Sequence, residues 1–280
     1  MKIGFIGAGK VGFTLGKYFE TSGLCVGGYY SRSITSSKEA AAFTSSKVYN
    51  SLEELIFDSD LIFITTPDRE IELLWHKLNT LDFQHKLFCH CSGSLTSKVF
   101  YGIDKHKSYG YSLHPIYAFS DKLESYKNLN KACFSLEGPK EKLSVLYELL
   151  QSLGHKVYII SSEQKISYHL SNVMVSNLLL SLLNLSCSYF DDNLTEEEAL
   201  LALWPLIENN LKNIKEKGFI NSLTGPVERG DIDTICSHLG VLMPQHINLY
   251  KALSLNLASL SMKKHSDRDY SEIIKVLGGQ

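Results

Sequence analysis

Short apolar runs alternate with segments of helical periodicity over roughly the first 160 residues. Runs at 3–6, 26–30, 60–66, 86–91, 109–113, 132–136 and 156–160 read as strands. Residues 38–43, 51–57, 70–78 and 140–153 read as helices, with Ser51 as an N-cap ahead of Glu53 and Glu54. The run DLIFITT at 60–66 is apolar enough for a central strand buried on both faces. This alternation predicts an α/β fold, a mainly parallel Rossmann-type sheet with helices on both faces. After residue 161 the strand pattern stops. One apolar helix is expected over 163–189, and a capping box, Thr195-x-x-Glu198, opens the next. Pro205 should kink or break that helix near Trp204. A turn at Leu223-Thr224-Gly225-Pro226 precedes helices over 229–239, 245–262 and 270–277. The chain therefore divides into an α/β domain, 1–161, and an all-α domain, 162–280. The leucine-rich 178–185, interrupted by Ser181 and Asn184, predicts a buried helix. No run reaches the roughly 18 apolar residues of a membrane span.

Where the first strand ends, Gly7-x-Gly9-x-x-Gly12 leads into the first helix. In a dinucleotide-binding βαβ unit, such glycines allow the tight turn, the approach of a pyrophosphate and close helix–strand packing. The helix N-terminus then presents amides to the phosphates. Residues Gly7, Ala8, Gly9, Lys10, Val11 and Gly12 are accordingly candidate cofactor ligands. NAD sites usually place an acidic residue about 20 residues further on, at the end of the second strand. Here that position reads Tyr30-Ser31-Arg32-Ser33. Arg32 suits a 2′-phosphate, and Ser31 and Ser33 can donate to it, so NADPH is expected over NADH. The competing reading is a solvated Ser/Arg loop.

A length of 280 residues, 44% hydrophobic and 21% charged, suits two domains with an ample core. A net charge of −2 offers no basic field for nucleic acid and no polybasic membrane anchor. A strand pattern at the very start leaves no room for a signal peptide, and a cytoplasmic protein is expected. Six cysteines lack zinc spacing, so no metal is expected, and reduced, mostly buried thiols are the simplest reading.

Ligands of open parallel sheets bind beyond the carboxyl ends of the strands. Those ends carry Thr66-Pro67, expected near the cofactor ribose, then Ser92-Gly93-Ser94 and His114-Pro115. Ser92 and His114 are candidate substrate ligands, although Ser92 also fits a turn cap and His114 a structural role. On the long helix Lys165, His169, Asn172 and Ser176 fall at steps of four, three and four, with Asn177 adjacent. This stripe faces either a substrate or a buried polar network. His169, an imidazole able to donate a proton, is the expected proton donor, with Lys165 its competitor. Asn172, Ser176 and Asn177 are candidates for orienting substrate. Arg229, in TGPVERGD, either clamps a substrate carboxylate or pairs with Asp231 or Glu228.

GAGKVG, Pro67-Asp68, CSGS at 91–94, His114-Pro115, Tyr168-His169 with Ser176-Asn177, and LTGPVERGD together resemble a family of oxidoreductases. In it a Rossmann-like domain is joined to a helical domain of unknown function. The wider superfamily includes 6-phosphogluconate dehydrogenase, pyrroline-5-carboxylate reductase and ketopantoate reductase. The resemblance implies reduction of C=O or C=N between the two domains, and the apolar helices imply a homodimer. Ketopantoate reductases carry Lys, Asn and Asn four residues apart; aligning Asn177 with the last puts His169 at the lysine position and Val173 at the middle one. A small 2-keto acid of the ketopantoate kind is the expected substrate. A cyclic imine, or a non-catalytic nucleotide-sensing role, is the alternative.

Overall fold

The computed structural model describes residues 1–190 and 193–279. Two compact units divide it, Met1–Leu179 and Leu180–Gln280. In the first, the chain alternates β1 (Lys2–Ile6), α1 (Lys10–Thr21), β2 (Cys25–Tyr30), α2 (Ile34–Phe43), β3 (Lys47–Val48), α3 (Leu52–Asp58), β4 (Leu61–Ile64) and α4 (Asp68–Leu78). It continues through β5 (Leu87–His90), β6 (Tyr109–Ile116), β7 (Cys133–Glu137), α5 (Leu143–Ser152), β8 (Lys156–Ile159) and α6 (Lys165–Val173). The strand order is β3-β2-β1-β4-β5-β6-β7-β8, and every pair is parallel except β6 with β7. The first six strands thus follow the dinucleotide-binding order, which reverses direction at β1 and β4 and opens a crevice there.

Aromatic packing fixes both faces of the sheet. Phe5 stacks on Tyr29 and Phe63 beneath α1, and Trp75 of α4 meets Phe88 and Phe100 edge-on across the opposite face. As expected, Ser51 caps α3, its hydroxyl accepting from the Glu54 amide. β6 is longer than its apolar pattern and runs through His114 and Pro115 to pair antiparallel with β7. That pairing places Ser112 opposite Glu137 and His114 opposite Ser135 on one face.

Between α6 and α7 (Leu179–Cys187) lies one π-helical turn, Met174–Leu178. Together these segments form 23 helical residues, within which an 18-residue window has mean hydropathy 1.4, enough by length and composition alone to cross a membrane. This qualifies the expectation that no membrane-length run exists: serines and asparagines interrupt the segment, but its leucines and valines outweigh them. Its first residue, Lys165, is hydrogen-bonded to Ser112 of β6. The expected burial of 178–185 is also corrected: Leu178 and Leu180 are exposed.

The second unit contains α8 (Glu196–Ser222), α9 (Pro226–Arg229), α10 (Ile232–Val241), α11 (Pro244–Lys264) and α12 (Ser271–Val276). Thr195 and Glu198 form the capping box. The helix passes through Pro205 and breaks at Gly218 instead, where φ is 75°. Proline removes one hydrogen bond, to the Leu201 carbonyl, whereas glycine takes a positive φ without steric cost. Cys25 and Cys236 are exposed while the other four cysteines are buried or half-buried, and no disulfide or metal-ligand cluster occurs among the described residues.

Candidate active site

Thr65, at the end of β4, organises the glycine-rich turn by donating from its hydroxyl to the Gly7 carbonyl at 2.9 Å. Gly7 has a φ of 108°, and a Cβ there would lie 2.9 Å from the Thr65 carbonyl. A Cβ on Gly12 would lie 2.7 Å from the Gly7 carbonyl and closer still to the Thr65 hydroxyl. Gly9, by contrast, has nothing nearer than 4.0 Å, so its surface is open to a ligand. No side chain caps the N-terminus of α1.

Beside this turn lies a cavity of about 570 Å³ that runs between the ends of β2 and β4. Gly7, Ala8, Gly9, Ser31, Arg32, Thr66 and Pro67, all candidate cofactor ligands, line it. Lys10, Val11 and Gly12 belong to the first turn of α1, and the Lys10 ammonium donates to the Ser120 carbonyl at 2.8 Å. Ser33 is occupied differently from its expected role: its hydroxyl caps α2 by accepting from the Ser36 amide. Ser36 lines the cavity in its place. The Thr66 hydroxyl is buried and has no hydrogen-bond partner. A bare glycine surface, an uncapped helix start and an orphaned hydroxyl fit a dinucleotide.

Beyond the carboxyl ends of β5 and β6 a second group of side chains converges. Lys165 is fully buried, and its ammonium donates to the Ser112 hydroxyl at 2.6 Å. No carboxylate hydrogen-bonds to it among the described residues, and burial pulls its pKa below the usual lysine range to about 8. His114 Nδ1 lies 2.6 Å from the Tyr168 hydroxyl. Burial first, then the nearby charges of Lys165 and His169, lowers the His114 pKa to about 4. His114 is therefore neutral at pH 7 and serves as a hydrogen-bonding group. With the Tyr168 phenol donating to Nδ1, its proton resides on Nε2. That nitrogen and the His169 ring both border Gly93, where a Cβ would lie 3.0 Å from His114 Nε2 and 2.6 Å from His169 Cδ2. The Asn172 amide nitrogen is buried without a partner.

Other expected members of the site are engaged elsewhere. The Ser92 hydroxyl donates to Asp68 at 2.6 Å and accepts from the Ser94 and Leu95 amides, so it fixes the turn. Ser176 and Asn177 are exposed, and the Ser176 hydroxyl bonds back to the Asn172 carbonyl at 2.7 Å. Both lie within the π turn that follows Val173. Arg229 lies in the second unit, 60% exposed and 3.8 Å from Asp231, the structural alternative for that residue. Within TGPVERGD, Glu228 is the anchor, bonded to His265 at 2.5 Å and Lys264 at 3.3 Å. Ser112 was not singled out from the sequence, and Tyr168 was noted there only within the Tyr168-His169 motif, without a role in the site. Their partners come from other elements, and only the polar residue alternating along β6 hinted at Ser112.

Similarities to known proteins agree with this arrangement. Residues 1–115 match a Rossmann-like domain, and residues 132–257 match a domain of unknown function, DUF2520. No curated protein sequence matches the chain. Protein TM1727 from Thermotoga maritima is 27% identical, with TM-score 0.74 over 94% of this chain and 99% of that one. A Bacteroides fragilis protein, provisionally an NADP oxidoreductase, is 24% identical with TM-score 0.73, covering 92% of this chain and 98% of its own. A pyrroline-5-carboxylate reductase from Coxiella burnetii is 14% identical with TM-score 0.59, covering 99% and 98%. The last two likenesses are of fold alone. The expected pairing is thus present: a Rossmann-like domain followed by a DUF2520 domain.

Proposed function

We propose that the protein is an NADPH-dependent reductase of a small carbonyl substrate, most simply a 2-keto acid of the ketopantoate class. The observation that carries this reading is the convergence of His114 and His169 on Gly93, with buried Lys165 nearby, in the same unit as the glycine-lined cavity. NADPH supplies the hydride when bound. The glycine turn and the first amides of α1 hold its pyrophosphate, Thr66 meets the ribose, and Arg32 with Ser31 and Ser36 takes the 2′-phosphate. His114 donates from Nε2 to the carbonyl oxygen, and His169 delivers the proton as negative charge grows there. Lys165 supplies fixed positive charge, and the unpartnered Asn172 amide takes a carboxylate or hydroxyl oxygen. A protonated imine would approach Lys165 as a like charge, which favours a carbonyl.

Oxidation of NADPH with a panel of 2-keto acids and cyclic imines tests this reading. Turnover is expected with a keto acid, and His169→Ala should lower it about 100-fold. Turnover confined to imines, insensitive to His169→Ala, would replace the carbonyl reading. The exposed Leu201, Leu206 and Phe219 of α8 are assigned to a homodimer interface. Light scattering should give twice the chain mass, and a monomer at micromolar concentration would contradict the assignment.

A further inference from the structure

The cavity at the end of β2 contains a carboxylate that β2 itself does not supply. Glu70, in the first turn of α4, lines it together with Ser31, Arg32 and Ser36. Glu70 Oε2 lies 3.1 Å from Arg32 Nη1, and Oε1 lies 3.7 Å from Arg69 Nε. The Arg32 side chain is 79% exposed and that of Glu70 only 25%, so the guanidinium is the freer partner and the carboxylate the fixed one.

We infer that Glu70 sets how sharply the site separates NADPH from NADH by competing for Arg32. The inference rests on the NADPH reading above. A 2′-phosphate must draw Arg32 away from Glu70 and then lie beside a like charge. A 2′-hydroxyl can donate to Glu70 and leave the ion pair intact, as it does to the acidic residue that ends β2 in sites selecting NADH. In this chain the acid arrives from α4 instead. Glu70 thus weakens NADPH binding, strengthens NADH binding, and makes the preference smaller than Arg32 alone would give.

Calorimetric titration of the wild-type chain, Glu70→Gln, Arg32→Ala and the double variant with each nucleotide tests this directly. Glutamine keeps the size of the side chain and removes its charge. Glu70→Gln should bind NADPH about 3- to 10-fold more tightly and NADH more weakly, and the NADPH gain should shrink in the Arg32→Ala background. If wild type binds the nucleotides but Glu70→Gln changes neither affinity, or both equally, the inference is overturned and the cofactor reading stands. If wild type binds neither nucleotide, the cofactor reading fails and takes the inference with it.

Discussion

Replacing Lys165 with methionine should lower turnover about 100-fold or more, close to 2.7 kcal/mol of transition-state stabilisation, without destabilising the fold. The two effects separate because Lys165 carries its charge in a poor place for stability. The side chain is fully buried, and its ammonium hydrogen-bonds to one neutral hydroxyl. The drop in pKa to about 8 corresponds to about 3 kcal/mol lost from the folded state. Below about pH 8 both folded and unfolded chains hold the proton, so this cost is present in full. It fades as pH rises from about 8 towards the ordinary lysine value, where only the unfolded chain stays protonated. Methionine fills a similar volume without the charge, so thermal denaturation at pH 7 should show an unchanged or higher Tm. Turnover of the wild type should fall as pH rises through about 8, and the variant should lack that step. A variant that loses stability and keeps its turnover would make Lys165 a structural residue.

Gly12→Val should abolish detectable NADPH binding, a loss of about 100-fold or more. Its first added carbon meets the Gly7 carbonyl at 2.7 Å and the Thr65 hydroxyl closer still, and neither can move freely. Thr65 is buried at the end of β4 and holds the glycine turn through its bond to Gly7. Relieving the clash must tilt α1 away from β4, and the amides of its first turn move with it. Overpacking of this kind costs about 1–3 kcal/mol of stability. Circular dichroism should therefore still report a folded chain at low temperature, while calorimetry with NADPH shows no heat. Wild-type affinity in that variant would move the pyrophosphate away from this turn.

Much of the framework was legible because its signals are local. The glycine spacing, the Ser51 cap and the Thr195–Glu198 capping box each depend on residues within a few positions of one another. The strand β3 was not, since Lys47–Val48 is too short to show a period. In the site, Lys165, His169 and Asn172 could be read from helical spacing, whereas the exposure of Ser176 and its bond back to the Asn172 carbonyl could not. Nor could the break at Gly218 in place of Pro205: the composition offers two sites for it, and backbone freedom selects one. Glu70 and Tyr168 were hidden for another reason. Each meets its partner across a large sequence separation, Arg32 in one case and His114 in the other. Pairing of that kind is set by the order of the strands, which local patterns do not specify.

The proposed NADPH site stands on the glycine turn and Arg32 together. Isothermal titration of the wild-type chain with NADPH and NADH tests it most directly. One saturable site per chain is expected, with NADPH bound about ten-fold or more tightly than NADH. Absence of heat with either nucleotide, or tighter binding of NADH, would contradict it.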